Sequence, residues 1–332
     1  MTSWTPSVSI VVPVYNGAET VSACLESLLN QDYPAEACEI IVVENGSTDN
    51  TTQLVEKYPV RLFHSDARGP APARNLGIAK SEAEIVAFTD ADCIADPNWL
   101  SELVKPYADL EIGGVGGAIL AYQHTRRNVV EMFSDEYSPL TNFVKGEQVF
   151  LPDLYTANAS YWRHLLNEIG GFNANLVTGE DVDAAWRLQL QTGRKLRYAP
   201  EAIIHHHHRS TLKGLARQYR QYGFGEIVLD TLYGHYPTYP RNLRFQAQRM
   251  LSQLAALPRY ALSAGLRQFR LATGRTTRYE AAVPLLWLLI ESNNLQGKLE
   301  GLIATRLMTD AQPALHTKAE VLISRLFPSG KA

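Results

Sequence analysis

Ile85-Val86-Ala87-Phe88-Thr89 runs straight into Asp90-Ala91-Asp92-Cys93, so an apolar segment of strand type stops on two carboxylates one residue apart. Strand side chains alternate between faces, which lets Asp90 and Asp92 point the same way. In open parallel α/β sheets, ligands gather beyond the carboxyl ends of the strands. Two hard oxygen donors there suit Mg2+ or Mn2+, an ion that keeps waters and bridges to substrate phosphates. The competing reading is a solvated turn, with Asp96 capping the next helix and Pro97 opening it.

The residues on either side repeat the pattern. Val8 to Val14 is a β-branched run of the kind a doubly covered strand needs, and Tyr15-Asn16-Gly17 turns the chain. Val21, Cys24, Leu25, Leu28 and Leu29 then recur at helical spacing. Glu39 to Val43 predicts a second strand, ending in the polar string Glu44-Asn45-Gly46-Ser47-Thr48-Asp49, which caps a following helix. Val60 to Phe63 predicts a short third strand, and Gly69 to Gly77 a helix with prolines in its first turn. Strands alternating with helices imply an α/β domain with a largely parallel sheet. No Gly-x-Gly-x-x-Gly follows the first strand, which argues against a dinucleotide-binding enzyme, and no Walker-type Gly-Lys-Ser/Thr occurs. Gly113 to Gly117 reads as the entrance to a strand over Val115 to Tyr122, and Gly146 to Asp153 as an irregular loop.

Further on, Thr156 to Ser160 precedes an expected short helix, Tyr161 to Ile169, closed by Gly170-Gly171. Glu180, Asp181 and Asp183 then cluster at a helix start, near its positive end. Ordinary capping explains such a cluster, and so does a general base aimed into a cleft. Arg194 to Ile204 is strand-like and leads into His205-His206-His207-His208. On a strand end, His206 and His208 share a face and could complete a metal site; the alternative is four solvent-facing histidines. Ser210 is expected to cap the helix that follows.

The stretches VSIVVPVYNGAET, EIIVVENGSTDNT, GPAPARNLGIAKSEAEIVAFTDADC, TANASYWRHLLNEIGGFN, GEDVDAAWRL and IIHHHHRST, in this order, resemble glycosyltransferase family 2 over roughly residues 7 to 225. These are inverting nucleotide-sugar transferases of the GT-A fold. The resemblance implies an α/β fold, a Rossmann-like, mostly parallel central sheet flanked by helices. It also implies that Pro13, Tyr15, Glu44 and Asn45 line the base and ribose site, and that Arg74 stands near the nucleotide. Asp90 would contact ribose or metal, and Asp92 would bind Mg2+ or Mn2+ on the diphosphate. Asn158 would lie near the donor sugar or acceptor. Asp181, beside Glu180, would be the catalytic base, with His206 or His208 as an additional metal or phosphate contact. Many relatives carry two aspartates where this chain has Glu44-Asn45, a departure at the position that contacts uracil. The implied partners are a nucleotide-diphosphate sugar, with UDP as the expected nucleotide, and a saccharide or lipid-linked acceptor.

A nucleotidyltransferase that makes sugar nucleotides would want a Gly-rich phosphate loop and a basic residue after the first strand; Tyr15-Asn16-Gly17 supplies neither. A non-catalytic sugar-nucleotide-binding protein predicts lost carboxylates, yet Asp90, Asp92 and Asp181 are present.

Composition separates the two ends of the chain. Residues 1–230 carry 18 basic and 29 acidic side chains, a net of −11, whereas residues 231–279 carry eight arginines and no acid. The shift predicts a catalytic domain over 1–230 and an arginine-rich, mainly helical extension over 231–332. The arginines, interleaved with apolar residues, suit an anionic membrane surface; intramolecular pairing with the acidic domain is the alternative. No nucleic-acid module surrounds them, and nucleic acid is not an expected partner. Three scattered cysteines, no basic-then-apolar leader, and a longest apolar run of ten residues (Ala281 to Ile290) predict a cytoplasmic protein, peripheral at the cytoplasmic face of the membrane.

Overall fold

A computed structural model of the chain describes residues 4–123, 127–137, 150–241 and 243–309. In chain order the elements are β1 (Val8–Val14), α1 (Val21–Leu29), β2 (Cys38–Glu44), α2 (Thr51–Val55), β3 (Arg61–His64), α3 (Pro70–Lys80), β4 (Ile85–Thr89), β5 (Cys93–Ala95), α4 (Trp99–Val104), β6 (Ile112–Ala121), α5 (Val129–Tyr137), β7 (Asn158–Trp162), α6 (Arg163–Glu168), α7 (Glu180–Thr192), β8 (Lys195–His206), α8 (Leu212–Tyr233), α9 (Leu243–Ala272) and α10 (Arg278–Thr309). Described residues 4–123, 150–176 and 180–207 form one compact unit. Described residues 127–137, 177–179 and those from 208 onward form a second.

The first unit is a mixed, mostly parallel sheet in the order β3-β2-β1-β4-β7-β6-β8-β5. β3, β2, β1 and β4 run parallel, as do β6 and β8, while β7 is antiparallel to both of its neighbours and β5 to β8. The β1 run is apolar apart from Ser9 because both faces are covered. Ile10, Val12 and Val14 share a buried cluster with Val21, Cys24 and Leu25 of α1. Val11 faces the other way, into a cluster with Ala71, Ala73 and Ile78 of α3 and Ala184, Ala185 and Leu188 of α7. This is the expected α/β architecture. It brings the ends of β1, β2 and β4 to one edge of the sheet, as parallel pairing requires.

Several local expectations are corrected. The glycines of 113–117 lie within β6, not before it. A Cβ on Gly117 would sit 2.1 Å from the Ala202 carbonyl oxygen and 2.4 Å from Nδ2 of Asn158, so only glycine permits that close pairing. Residues 158–162, expected to lead into or begin a helix, form β7, and α6 starts only at Arg163. β7 pairs with β4 on one side and β6 on the other, so tertiary ladder bonds override the local pattern. β5 has no sequence signal; three residues after a turn become a strand by pairing with β8. Asp96 does not cap α4, whose N-cap is Asn98; Asp96 Oδ1 instead lies 3.0 Å from His205 Nε2. The cap of α8 is Thr211, accepting from Gly214 N, not Ser210. The loop expected over Gly146 to Asp153 lies outside the described residues as far as 149, and so does the extension beyond 309.

The second unit is helical. Residue 230, the expected domain limit, falls inside the unbroken helix α8. α8 packs along α10 at close range, where a Cβ on Gly297 would meet the Arg220 carbonyl oxygen at 1.9 Å. Val130 and Phe133 of α5, Leu215 of α8, and Leu286 and Ile290 of α10 make its buried apolar cluster. Arg220 bridges α8 to Glu300 of α10 by two hydrogen bonds, at 2.8 and 2.6 Å. Among the described residues, no helix is long and apolar enough to cross a membrane.

Candidate active site

The site is built at the sheet edge where β1, β2 and β4 end. Three turns are tied together there. Asn16, with a φ of 48°, donates its backbone N–H to Ser47 Oγ (2.9 Å) and accepts from Thr48 N through Oδ1 (2.8 Å). Gly17 N donates to Thr51 Oγ1 at 2.9 Å. The polar string after β2 thus fixes the turn after β1, where Tyr15 is exposed, while Pro13 is half-buried within β1.

Glu44 is buried at the end of β2 and accepts from Ser47 N, with His64 Nδ1 3.2 Å from its other oxygen. Burial opposes its ionisation, but the hydrogen bonds from Ser47 and His64 outweigh that and hold its carboxyl below the usual range. The sequence carries no signal for His64, because only the β2–β3 register sets it opposite Glu44. Asn45 braces the next loop, donating to Ala67 O and accepting from Gly69 N, each at 2.7 Å.

Asp90 and Asp92 do not lie on a strand. β4 ends at Thr89, and the two aspartates occupy a turn closed by Cys93 N donating to Asp90 O at 3.0 Å. Their carboxylates consequently have different partners. Asp90 Oδ1 accepts from Arg74 Nη2 at 2.9 Å, while Asp92 Oδ1 lies 3.5 Å from His206 Nε2. The second pairing follows from the sheet, since Cys93 and His206 are register partners. His208 does not share that strand face. β8 stops at His206, and His208 belongs to the second unit, where its Nε2 lies 3.6 Å from Asp135.

Arg74 joins the turn to the other acidic motif. It is buried in α3 and donates through Nη1 to Glu180 Oε1 at 2.7 Å, as well as to Asp90. Burial disfavours its charge, but Asp90, Glu180 and Asp181 more than restore it. Burial and the Asp181 charge push Glu180 up to about 7, against the pull of Arg74. Burial raises Asp181 too, with Arg74 and the Val182 and Thr156 backbone N–H groups pulling the other way.

The three acids at the start of α7 thereby separate. Glu180 is bound to Arg74, and Asp183, almost fully buried, is paired with Arg187 at 2.6 Å. Asp181 is half-buried and accepts from Val182 N, with no ion pair of its own among those described. A carboxylate so placed can accept a proton from a hydroxyl in the cleft.

Asn158 is corrected. Its side chain is buried, accepting from Trp99 Nε1 and donating to the carbonyl oxygens of Ala118 and Ala202, each at 2.8 Å. Both amide hydrogens are spent on the sheet, so the side chain staples strands together and has no hydrogen left to donate to a sugar.

Asp92, Cys93 and His206 are the described side chains that converge closely enough to hold an ion, with their donor atoms within 4.8 Å of one another. Burial raises the Cys93 thiol well above its usual range and keeps it protonated. Asp92 and His206 contribute one carboxylate and one imidazole. That set fits Mn2+ better than Mg2+, which takes oxygen ligands.

Comparison with known proteins identifies the family and the fold. Residues 9–170 match the family model described as glycosyl transferase family 2. The glycosyltransferase AglE of Haloferax volcanii is 31% identical over 234 residues, which is 68% of this chain and 75% of that protein. This chain belongs to glycosyltransferase family 2. A pre-mycofactocin glycosyltransferase of Mycobacterium tuberculosis is 29% identical over 229 residues, or 65% of this chain, but the match spans only 46% of that longer protein. Among solved structures, a mannosyltransferase of Pyrobaculum calidifontis in complex with GDP-Man and Mn2+ superposes with a TM-score of 0.58 and 22% identity, covering 90% of this chain and 88% of that one. The fold is thus GT-A, and the family transfers sugars.

Proposed function

We propose that this family 2 glycosyltransferase moves a sugar, with inversion, from a nucleotide-diphosphate donor to an acceptor hydroxyl. The observation that carries the reading is the double bridge of Arg74, to Asp90 at 2.9 Å and to Glu180 at 2.7 Å. It joins the donor-side turn to the acidic start of α7, so a leaving group and a base can face the same anomeric carbon. Pro13, Tyr15, Glu44 and Asn45 line the nucleoside end. Asn45 retains one unassigned lone pair after bracing its loop, and a neutral amide can read a uracil edge where relatives use aspartate. UDP is therefore the nucleotide we assign.

Asp92 and His206 would hold Mn2+. When bound, the ion offsets charge growing on the diphosphate. Asp181 takes the acceptor hydroxyl's proton as that oxygen attacks the anomeric carbon from the face opposite the leaving group. Glu180, neutralised by Arg74, positions Asp181 and leaves it as the base. One base on one face gives a single displacement. The acceptor we assign is a saccharide, either free or lipid-linked, at the cytoplasmic face of the membrane.

The test is a panel of UDP-, GDP- and dTDP-sugars scored by thermal shift and by nucleotide release. UDP-sugars with Mn2+ should stabilise the protein and turn over. Asp92→Ala should abolish the Mn2+-dependent part of donor binding while the protein stays folded. Equal donor affinity in that variant, measured by calorimetry with Mn2+ present, would remove Asp92 from the metal site.

A further inference from the structure

Helix α9 leaves one face without a partner inside its own unit. Leu251, Leu254, Leu262, Leu266 and Phe269 are all more than half exposed, from 54% at Leu254 to 69% at Leu262. At ~100° per residue they fall, with Ala255 and Pro258, on about a third of the helix circumference. The opposite face is the packed one. Gln246 and Ala264 are buried there, Gln253 bonds Glu291 and Asn294 of α10 at 2.8 and 2.9 Å, and Gln268 donates to Ala281 O at 3.2 Å. The outward leucines therefore do not serve the core of this unit.

The charges around that stripe are of one sign. No acidic residue occurs between 231 and 279. Arg241 and Arg249 are used internally, on Asp230 at 3.2 Å and Glu226 at 3.0 Å. Arg267 donates to the Glu280 carbonyl oxygen. Arg244, Arg259, Arg270, Arg275 and Arg278 are exposed and make no ion pair among the described residues. Arg259 and Arg270 project from the border of the stripe, Arg244 from its amino end, and Arg275 and Arg278 follow its carboxyl end. Internal pairing therefore accounts for Arg241 and Arg249 but not for these five.

We propose that this face of α9 is a membrane-docking surface that lies in the interfacial plane of an anionic bilayer. Its leucines and Phe269 enter the acyl boundary, and its bordering arginines contact lipid phosphates. Apolar width with a cationic border is what an interfacial helix needs. A second copy of the chain fits poorly, because two such faces would bring like-charged arginines together. Nucleic acid fits poorly as well, since Phe269 is the face's one aromatic side chain and the rest of it is aliphatic, which offers successive bases little to stack on. Docking concerns where the protein sits, not its chemistry, so it stands apart from the transferase reading.

The experiment is co-sedimentation of the full chain with vesicles of phosphatidylcholine alone or mixed with phosphatidylglycerol, at low and high salt. The wild type should pellet with the mixed vesicles at low salt, and binding should drop by roughly 10-fold or more at high salt. Leu262→Glu/Phe269→Glu and, separately, Arg259→Gln/Arg270→Gln should each weaken binding at least several-fold. Far-UV circular dichroism and donor binding should stay at wild-type values in both, which separates lost docking from lost folding or lost transferase function. Several results would overturn the proposal: no binding to the mixed vesicles, binding that both double variants retain, a dimer that only the Leu262→Glu/Phe269→Glu variant dissociates without any vesicle binding, or capture of an RNA oligonucleotide in place of vesicles.

Discussion

Arg74 and Lys298 are both buried cations, and they are neutralised on different terms. Lys298, fully buried in α10, lies 3.1 Å from Glu226 and donates to Gln253 Oε1 at 3.0 Å. Glu226 also takes Arg249, and Glu291 stands near, so two cations meet two carboxylates across α8, α9 and α10. Arg74 faces the opposite balance, with Asp90, Glu180 and Asp181 around a single guanidinium. An isolated buried charge is expensive, so an excess of one sign persists only where something else compensates it. In the helical unit the compensation is internal and the network is a staple. At the sheet edge the excess is acidic, and Glu180 answers it with a raised affinity for a proton. Residual charge therefore distinguishes a site from a structural ion pair better than burial does.

The largest break of this comparison is Arg74→Met. It strands the buried Glu180 and leaves the half-buried Asp90 unpaired, and should cost about 3–5 kcal/mol of stability in denaturant unfolding, with turnover lost. A loss under ~1 kcal/mol would mean that the carboxylates are not held by Arg74 at all. Next is Asp181→Asn, which keeps shape and removes basicity. Its kcat should fall by roughly 10²-fold or more while calorimetric donor affinity is retained. Near-normal kcat would transfer the role to Glu180.

Lys298→Met sharpens the other side. Glu226 keeps Arg249, so the cost should be about 1–3 kcal/mol of stability, with kcat/KM unchanged. A drop in kcat/KM at full folding would show that the helical network reaches the chemistry. The smallest effect is on pH. Because burial raises Asp181, the base, as it raises Glu180, kcat should decline with falling pH at a pH above the ordinary aspartate range. The sign for stability is opposite. Protonation favours the folded state, so this pair's own contribution to stability grows as pH drops from about 7 towards the ordinary 4.5. Comparing the wild type with Asp181→Asn by thermal unfolding at several pH values checks it.

The sequence by itself determined the architecture and where the candidate site residues stand along it. Runs such as Val8 to Val14 are apolar at all positions but Ser9 because both faces of the sheet are covered, and that pattern is local. The acids at 90, 92 and 180–183 were legible because each follows a strand or opens a helix, where a polar string interrupts an apolar one. Only the tertiary structure decided which of them act together. β5 and β7 exist through ladder bonds to distant strands, so short-range pattern could not announce them. Asn158 and Asp181 look equally available in sequence, yet Trp99 and two carbonyl groups consume the first. Arg74 lies 16 residues from Asp90 and 106 from Glu180, and only the packing of α3 against the sheet lets one guanidinium reach both. Local periodicity reports the surfaces an element must bury, whereas partnership between charges depends on distances that exist only after those surfaces have met.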